Sequence, residues 1–385
     1  MNYDFIFAGF GLSGMSLLHE MSKYDGFEKY QILVIDMDKK QSNDRTWSFW
    51  SKELYGYESI VKKSWQTGFV IEESGKSIPL ELKDYKYHTI RGIDFYGSIK
   101  KELAKFSNIT FVYDKIEAVE KSGLVKCENH QFQGNKVFKS YFLREEIPSN
   151  LGNAFIWQHF KGWIIKTETP QFNKDEFVLM DYRDSSDDKT NFVYVLPYTN
   201  DTALIEFTEF SPDFYTPEEY DDKVRTYIKK YLTTEKYEII EEEFNAIPMT
   251  DHQFDGLVEG NIIKIGTMGG YVKASSGYCF TRTIEKNIKL AKAIMQKEEV
   301  TDKTTASPFR YAMYDSAMLN LLADRVLLGK TIFPAMFRTL KGDNVFKFLD
   351  ERMSFPQEVW MMSTVPKKWH FIRFFVNKGL RWLLP

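Results

Sequence analysis

The sequence predicts an α/β protein in which a Rossmann-like nucleotide-binding domain is interrupted by an inserted domain built on an antiparallel sheet. Three observations support this prediction. The chain opens with a buried strand, a glycine-rich turn and a helix, and a second buried strand follows closely. A run of strands occupies the middle of the chain. A second glycine cluster appears only after that run.

The first strand–helix–strand unit is typical of dinucleotide binding. The segment YDFIFAGF has the pattern of a short buried strand, LSGMSLLHEMSKY has helical periodicity, and YQILVID is a second buried strand. Two parallel strands need such a crossover helix between them. Between the first strand and the helix, GFGLSG places Gly9, Gly11 and Gly14 in the G-x-G-x-x-G pattern.

Each of these glycines has a separate reason to be glycine. The first permits a tight turn, the second lets a phosphate approach the backbone, and the third lets the helix pack closely on the strand. The helix N-terminus offers free N–H groups to a pyrophosphate. Asp36 ends the second strand about 20 residues after Gly14, where an acid can accept hydrogen bonds from a ribose.

The second glycine cluster favours FAD over a nicotinamide cofactor. The segment that begins NIIKIGTMGG has the pattern of a strand, a glycine turn, a loop and a long helix. Flavoproteins of the aromatic-hydroxylase type return to their cofactor late in the chain with this layout. We therefore expect Gly266, Gly269 and Gly270 to let the backbone approach FAD, and Gly277 and Tyr278 to lie beside the isoalloxazine.

The middle of the chain predicts the inserted sheet. Four segments, 155–167, 176–183, 191–199 and 202–210, are rich in apolar and aromatic residues and are separated by polar turns. The stretch 212–232 has the pattern of an amphipathic helix with an acidic start.

These patterns divide the chain into three parts. Residues 1–50, about 88–150 and 245–300 are expected to form a discontinuous FAD-binding domain. Residues about 51–87 and 151–244 are expected to form the substrate-binding sheet domain, and 301–385 a helical C-terminal region.

Composition and charge exclude several classes of function. A net charge of −3 argues against a general nucleic-acid binder, which needs a basic surface. Cys127 and Cys279 form no CxxC pair, and the histidines show no ligand spacing, so no metal is predicted. The N-terminus lacks the pattern of a signal peptide, and no apolar run reaches about 18 residues. A cytoplasmic protein, free or peripherally attached to a membrane, is expected.

The C-terminal tail suggests attachment to a membrane surface. Residues 367–385 contain five Lys or Arg and no acid. On a helix, one side would carry His370, Arg373, Asn377 and Arg381, and the other Trp369, Ile372, Val376, Leu380 and Leu383. This arrangement suits a helix lying in the membrane interface. The alternative is a helix packed on the protein's own core.

Six motifs together resemble the bacterial FAD-dependent lycopene beta-cyclases of carotenoid synthesis. They are NDRTWSFW, WQHFKGWIIKT, LMDYR, YVLPYTNDTALIEFTEFS, AIPMT and IGTMGGYVKASSGYCFTRT. The resemblance implies bound FAD, reduced by NAD(P)H, and lycopene or a related acyclic carotenoid as substrate. It also implies closure of β-ionone rings with no net redox change. The fold is shared with flavin hydroxylases and geranylgeranyl reductases, so fold alone does not decide the function.

Such a reaction places specific demands on the residues of the site. A proton must be added to an unactivated alkene to form a tertiary carbocation. The acid must therefore be shielded from water, and a carboxyl kept neutral by apolar surroundings is suitable. Aromatic faces can stabilise the cation, and so can the negative charge of reduced flavin.

Glu206 in LIEFTEF is the first candidate for the acid, because its neighbours are apolar. The family typically has two adjacent acids here, and this chain departs from it with Phe207. Glu209 should point to the other face of the strand from Glu206. Asp181 in LMDYR is the second candidate, and its alternative reading is a salt bridge to Arg183 or a turn cap.

Other residues keep two readings. Arg45 in NDRTW is expected to contact the phosphate or ribose of FAD, or else to form a surface ion pair. Trp47, Phe49 and Trp50 suit either a pocket wall or the core. His159 is best explained as a satisfied core histidine.

Two other functions are compatible with the same sequence. One is an FAD-dependent monooxygenase or polyene reductase, which would consume O2 or NADPH in proportion to product. The other is a non-catalytic carotenoid or lipid carrier with a vestigial nucleotide site.

Overall fold

The computed structural model describes residues 2–147, 153–232, 236–254 and 256–383, with side chains up to residue 376. In these ranges the strands are β1 (Asn2–Ala8), β2 (Ile32–Asp36), β3 (Thr46–Ser51), β4 (Val61–Trp65), β5 (Thr67–Ile71), β6 (Ser77–Leu80), β7 (Lys86–Arg91), β8 (Ile109–Tyr113), β9 (Ile116–Val119), β10 (Leu124–Cys127), β11 (Gln131–Lys139), β12 (Phe155–Thr167), β13 (Glu176–Asp181), β14 (Thr190–Pro197), β15 (Thr202–Ser211), β16 (Tyr237–Thr250), β17 (Val258–Glu259) and β18 (Ile262–Lys264). The helices are α1 (Leu12–Met21), α2 (Gly92–Leu103), α3 (Pro217–Tyr227), α4 (Phe280–Met295), α5 (Phe309–Ala323), α6 (Gly329–Leu340), α7 (Gly342–Leu349), α8 (Phe355–Thr364) and α9 (Lys368–Leu383).

The predicted Rossmann-like unit is confirmed. Strands β18, β11, β1, β2 and β8 lie side by side in that order, and each neighbouring pair is parallel. Helix α1 makes the crossover between β1 and β2. Along β1, Phe5 and Phe7 face one apolar cluster while Ile6 and Ala8 face another. Both faces of this sheet are therefore covered, which explains why β1 and β2 are almost continuously apolar.

The inserted sheet contains the four strands that the sequence predicts, two short strands, β5 and β6, and one long strand, β16, that it does not predict. Its order is β16, β12, β15, β14, β13, β5 and β6. The additional strand, β16, pairs antiparallel with β12 along its whole length, from Phe155 opposite Thr250 to Thr167 opposite Tyr237. The predicted segments correspond to β12, β13, β14 and β15.

The two faces of the inserted sheet pack against different partners. Ile205 and Phe207 on β15 contribute to an apolar cluster with α3. Leu204 and Phe210 on the same strand contribute to a larger cluster with helices α5, α6, α7 and α8. Because side chains alternate along a strand, Glu206 lies on the face that meets these helices. We call this the helix-covered face.

A small third sheet connects the two cores. It consists of β3, β7 and β4, all antiparallel. Trp47 and Phe49 pack in the core of the Rossmann-like unit, whereas Trp50 packs in the core under the C-terminal helices. The tryptophan-rich motif therefore contributes side chains to both cores. The boundaries of the three parts of the chain remain predictions.

Candidate functional site

The structure brings the two glycine clusters together. Gly266 has a φ of +65°, and a Cβ there would lie 3.2 Å from Ser13 Oγ and 3.3 Å from the Ser140 carbonyl oxygen. Asn287 on α4 donates a hydrogen bond of 2.8 Å to the Ser13 carbonyl. The late turn therefore packs directly on the first glycine loop, at the carboxyl ends of the central parallel strands.

The glycines of the first loop have different surroundings: two are tightly packed and one borders open space. A Cβ at Gly9 would lie 2.5 Å from Ser140 Oγ, and one at Gly14 would lie 2.6 Å from the Gly9 carbonyl oxygen. Both positions are closed to any side chain. A Cβ at Gly11 would meet no atom within 4 Å, so the space over the first turn of α1 is open.

The late glycines show the same division. A Cβ at Gly269 would lie 2.7 Å from the Lys264 carbonyl oxygen, which makes this a packing position. Gly270 has a φ of +67° and borders open space, with no atom within 4 Å of a Cβ. Open space over Gly11 and Gly270, next to the unpaired N–H groups of a helix start, fits an anionic diphosphate.

Asp36 contacts the first glycine loop, and Arg45 lies just before β3, close to Tyr96 and Cys279. The Asp36 carboxylate accepts hydrogen bonds from the backbone N–H of Phe10 at 2.6 Å and of Asp38 at 2.8 Å. It therefore ties the end of β2 to the glycine loop. The Arg45 guanidinium forms an ion pair of 3.0 Å with Asp44 and leaves 37% of its side chain exposed. Part of the guanidinium side chain is therefore accessible to a second anion.

An apolar cavity of about 740 Å³ lies between the helix-covered face and the C-terminal helices. Its lining is dominated by aromatic and methionine side chains, including Trp50, Phe192, Tyr194, Phe210, Tyr278 and Phe371. This size is within the range of small-molecule sites. Phe371 and Phe375 of α9 close one side of it, so the tail helix packs on the protein as well as facing outward.

Three tyrosines from distant segments meet at the wall of the cavity. The Tyr278 hydroxyl lies 3.3 Å from that of Tyr87 on β7 and 3.3 Å from that of Tyr194 on β14. Gly277 has a φ of +72°, and a Cβ there would lie 2.1 Å from Gln158 Oε1. The turn therefore requires glycine to hold Tyr278 in place. Burial raises the pKa of all three tyrosines above the usual value.

Two carboxyl groups lie beside this tyrosine cluster. Glu206 on β15 is opposite Tyr194 on one side and Gly162 of β12 on the other. Glu243 on β16 is opposite Gly162 from the far side. The two glutamates thus flank one glycine at the same level of the sheet, and their carboxyl groups are within hydrogen-bonding reach. We call Glu206 and Glu243 the carboxyl pair.

Burial decides the ionisation of the carboxyl pair. Loss of hydration raises the pKa of Glu206 well above its usual range, and the adjacent Glu243 raises it further. Burial also raises the pKa of Glu243, against the hydrogen bonds from Glu206 and from Thr46 Oγ1, the latter at 2.7 Å. Glu206 retains some accessible surface, whereas Glu243 is 4% exposed. The pair can keep a proton at neutral pH.

Asp181 and Glu209 lie on the opposite face of the sheet from the cavity, whereas Asp315, which lines the cavity, is paired with Lys273 at 2.9 Å. Asp181 is buried on the α3 side of the sheet, where it accepts hydrogen bonds from Arg183 Nε at 3.0 Å and from the Tyr227 hydroxyl at 2.6 Å. Glu209 accepts a hydrogen bond of 2.8 Å from Tyr215 on that same side. Asp181 thus forms the salt bridge to Arg183 that is the alternative to a catalytic role, and it faces away from the cavity.

Helix α9 exposes part of the predicted apolar stripe. Trp369, Ile372 and Val376 are 72%, 46% and 55% exposed, and Trp360 on α8 adds a further exposed ring. The side chains of Leu380 and Leu383 on the apolar stripe, and of Asn377 and Arg381 on the polar side, lie outside the described residues. Within the described ranges, none of the helices is both long and apolar enough to cross a membrane.

Comparison with known proteins gives the family. The sequence model of the family "Lycopene cyclase protein" matches residues 4–371. The chain belongs to the lycopene cyclase family. Its relatives include a chloroplastic neoxanthin synthase of Solanum lycopersicum, 22% identical over 325 residues. A chromoplastic capsanthin/capsorubin synthase of Capsicum annuum is 21% identical over 326 residues. In both cases the match covers 76% of this chain, which spans only 61% of the relative's length.

Solved structures confirm the fold class. A geranylgeranyl bacteriochlorophyll reductase-like protein of Thermoplasma acidophilum superposes with a TM-score of 0.59 at 12% identity, covering 98% of this chain and 99% of its own. The flavin-dependent brominase Bmp2 superposes with a TM-score of 0.59 at 14% identity, covering 99% of this chain and 100% of its own. The expected similarity to the geranylgeranyl reductase type of fold is thus found along nearly the whole chain.

Glu243 and Tyr87 belong to the site but are not predicted from the sequence. The inward and outward alternation of side chains along β16 could have indicated that Glu243 is buried. Met249 is fully buried, and counting back in steps of two from it reaches Glu243 on the same face. For Tyr87 there is no local signal, because its partners are contributed by segments far away in the chain.

Proposed function

We propose that this chain is an FAD-dependent lycopene beta-cyclase, which closes the acyclic ends of lycopene or a related carotenoid into β-ionone rings. One observation carries the proposal. A carboxyl group whose pKa is raised by burial, that of Glu206, lies on the cavity face of the sheet directly opposite the cavity residue Tyr194. Membership of the family and the carotenoid chemistry in the names of its relatives support the choice of substrate.

In this proposal Glu206 acts as the proton donor. Its proton moves to a carbon of the terminal double bond, whose π electron pair becomes the new C–H bond and leaves a tertiary cation. An internal double bond attacks that cation and closes the ring. A ring C–H bond then breaks, its electron pair becomes the ring double bond, and the proton passes to the carboxylate left on Glu206, which restores the acid. Substrate and product are therefore isomers.

The cavity lining protects the cation from water. Trp50, Tyr194 and Tyr278 offer ring faces to a positive charge without offering an anionic nucleophile. Burial raises the pKa of both tyrosines, so their hydroxyls stay neutral at physiological pH. Exclusion of water also strengthens the electrostatic interactions within the cavity.

The open space around the glycine clusters would hold FAD. Backbone at Gly9, Gly11, Gly14, Gly266, Gly269 and Gly270 would surround the diphosphate, with Asp36 at a ribose and Arg45 at a phosphate or ribose. When bound in its reduced form, the flavin supplies negative charge that stabilises a nearby cation. NAD(P)H is the proposed reductant, needed to prime the flavin and not consumed with each ring.

Peripheral attachment to a membrane would give the enzyme access to its substrate. A carotenoid is dissolved in the bilayer, and the exposed Trp360, Trp369, Ile372 and Val376 lie on α8 and α9, the helices that border the cavity. The proposed location is cytoplasmic, with this surface resting on the membrane.

Expression in a lycopene-producing host tests the proposal, with pigment analysis by absorbance and mass. Wild type should convert lycopene into a cyclic isomer of unchanged mass. Glu206→Gln should accumulate lycopene, whereas Glu209→Gln, on the same strand but the opposite face, should still cyclise it. Oxygenated or hydrogenated pigment, or unchanged lycopene in cells whose wild-type protein carries reduced FAD, would contradict the proposal.

A further inference from the structure

We infer that Glu243 is a positioning residue that shares the acidic proton with Glu206, so that the carboxyl pair holds one proton and acts as a unit. The chemical role of the pair rests on the proposed function. The geometry of the pair does not, and it can be tested without substrate.

Gly162 makes the pair possible. It lies between the two glutamates in register, opposite Glu206 on β15 and opposite Glu243 on β16. A Cβ on Gly162 would lie 2.9 Å from Leu204 Cδ1, 3.1 Å from Glu243 Cγ and 3.2 Å from Glu243 Oε1. The Glu243 side chain therefore extends across the backbone of the glycine. Any other residue there would hold the two carboxyl groups apart.

An unpaired oxygen on Glu243 shows where the proton belongs. Oε2 of Glu243 accepts a hydrogen bond from Thr46 Oγ1, whereas Oε1 is buried with no donor among the described residues. A buried carboxylate oxygen without a donor is costly. Ionised Glu206 cannot supply a donor, but protonated Glu206 can. One proton between the two groups satisfies the orphaned oxygen.

Sharing a proton also suits the reaction. Two carboxyl groups this close cannot both ionise easily, so the pair keeps a proton at neutral pH and carries one negative charge. When Glu206 releases that proton to the alkene, the charge of the pair rises from one to two, so both carboxyl groups are anionic beside the new cation. The charge on Glu243 thus favours the cation that has just formed.

The pair has several titratable or charged neighbours. They are Tyr87, Tyr194, Tyr198, Tyr278, Glu241 and Arg45. Burial raises the pKa of the four tyrosines, and Glu241 forms an ion pair of 3.0 Å with Arg91. An alkaline deprotonation of a carboxyl group in this region is therefore assigned to the pair itself.

Infrared difference titration of the purified full-length protein tests the inference without substrate. The wild type should show the C=O stretch of a protonated carboxyl at pH 7, lost in one alkaline step. Glu243→Gln should move the midpoint of that step down by about one pH unit or more, because Glu206 loses its anionic neighbour. The matched control is Glu242→Gln, since Glu242 is half-exposed and paired with Lys161. It should leave the midpoint unchanged.

Two further variants separate charge from packing. Gly162→Ala changes neither carboxyl but should shift the midpoint in the same direction as Glu243→Gln. Glu243→Asp keeps the negative charge, so its midpoint should lie between those of Glu243→Gln and the wild type. In a cyclisation assay, the alkaline limb of the kcat profile should move with the infrared midpoint while KM changes little.

The outcomes distinguish this inference from the proposed function. Absence of the protonated band at pH 7 in wild type, or an unmoved midpoint in Glu243→Gln, overturns proton sharing even if Glu206→Gln abolishes cyclisation. If wild type shows the band and Glu243→Gln shows the shift, but wild type never cyclises carotenoid, the inference about the pair stands and the proposed function is overturned.

Discussion

Replacing Gly11 by alanine should impair FAD binding without destabilising the protein. Gly11 precedes α1 with a φ of −85° and a ψ of −157°, an extended conformation that any residue adopts. A Cβ there meets nothing within 4 Å. We therefore expect the free energy of unfolding to change by less than about 0.5 kcal/mol in the absence of cofactor.

The cost should appear only when FAD is added. The new methyl group would occupy the space over the first turn of α1 and hold a phosphate away from the N–H groups. Loss of one charge-assisted hydrogen bond costs about 1.5–3 kcal/mol. The Kd for FAD should therefore rise roughly 10- to 150-fold, since each 1.4 kcal/mol is about a factor of ten.

Gly14→Ala provides the contrast. Its Cβ would lie 2.6 Å from the Gly9 carbonyl oxygen, so the loop and α1 must move apart. This overpacking should destabilise the apoprotein by about 1–3 kcal/mol. Flavin fluorescence titration of the apoprotein measures FAD affinity, and parallel thermal melts measure stability. Wild-type FAD affinity in Gly11→Ala, or a melting temperature lowered as far as in Gly14→Ala, would refute the assignment of this space.

Three other predictions follow from the geometry. Asp181→Asn should lower the free energy of unfolding by about 2 kcal/mol in urea titrations, through the lost ion pair with Arg183, while the folded variant still cyclises substrate. If activity falls by more than the fraction of folded protein does, Asp181 has a catalytic role and this interpretation is wrong. Burial raises the pKa of Glu206 in the folded state, so unfolding releases a proton and stability should fall as the pH rises above about 4.3. Thermal melts at pH 6 and pH 9 should show this decline, and Glu206→Gln should reduce it; an equal slope in both proteins would contradict the raised pKa. Replacing Trp369 and Ile372 together by serine should reduce flotation with anionic vesicles, and unchanged flotation would exclude this surface as the attachment site.

Local patterns in the sequence were sufficient for the Rossmann-like unit. Strand β1, helix α1 and strand β2 are contiguous, and the glycines between them have fixed geometric roles. The opposite orientation of Glu206 and Glu209 could also be predicted, because β15 alternates regularly over its ten residues.

The rest of the site depends on contacts between distant segments. The register shift in the pairing of β13 with β14 lies between Val178 and Asp181, so strand periodicity alone could not show which face Asp181 would take. Strand β16 is an edge strand of mixed burial, and its acidic run hides the one inward glutamate, Glu243. The approach of Glu243 to Glu206 requires the side-by-side pairing of β15, β12 and β16, which no local pattern specifies.

The most direct test of the central claim is the mass of the product made in D2O by purified protein with reduced FAD. Transfer of a proton from an exchangeable carboxyl to carbon predicts a cyclic product heavier than its isomer made in H2O by at least one deuterium. The flavin should remain reduced throughout, with no NAD(P)H consumed in proportion to product. A cyclic product without deuterium, or one that gains oxygen or consumes a reducing equivalent per ring, would contradict acid-initiated, redox-neutral cyclisation.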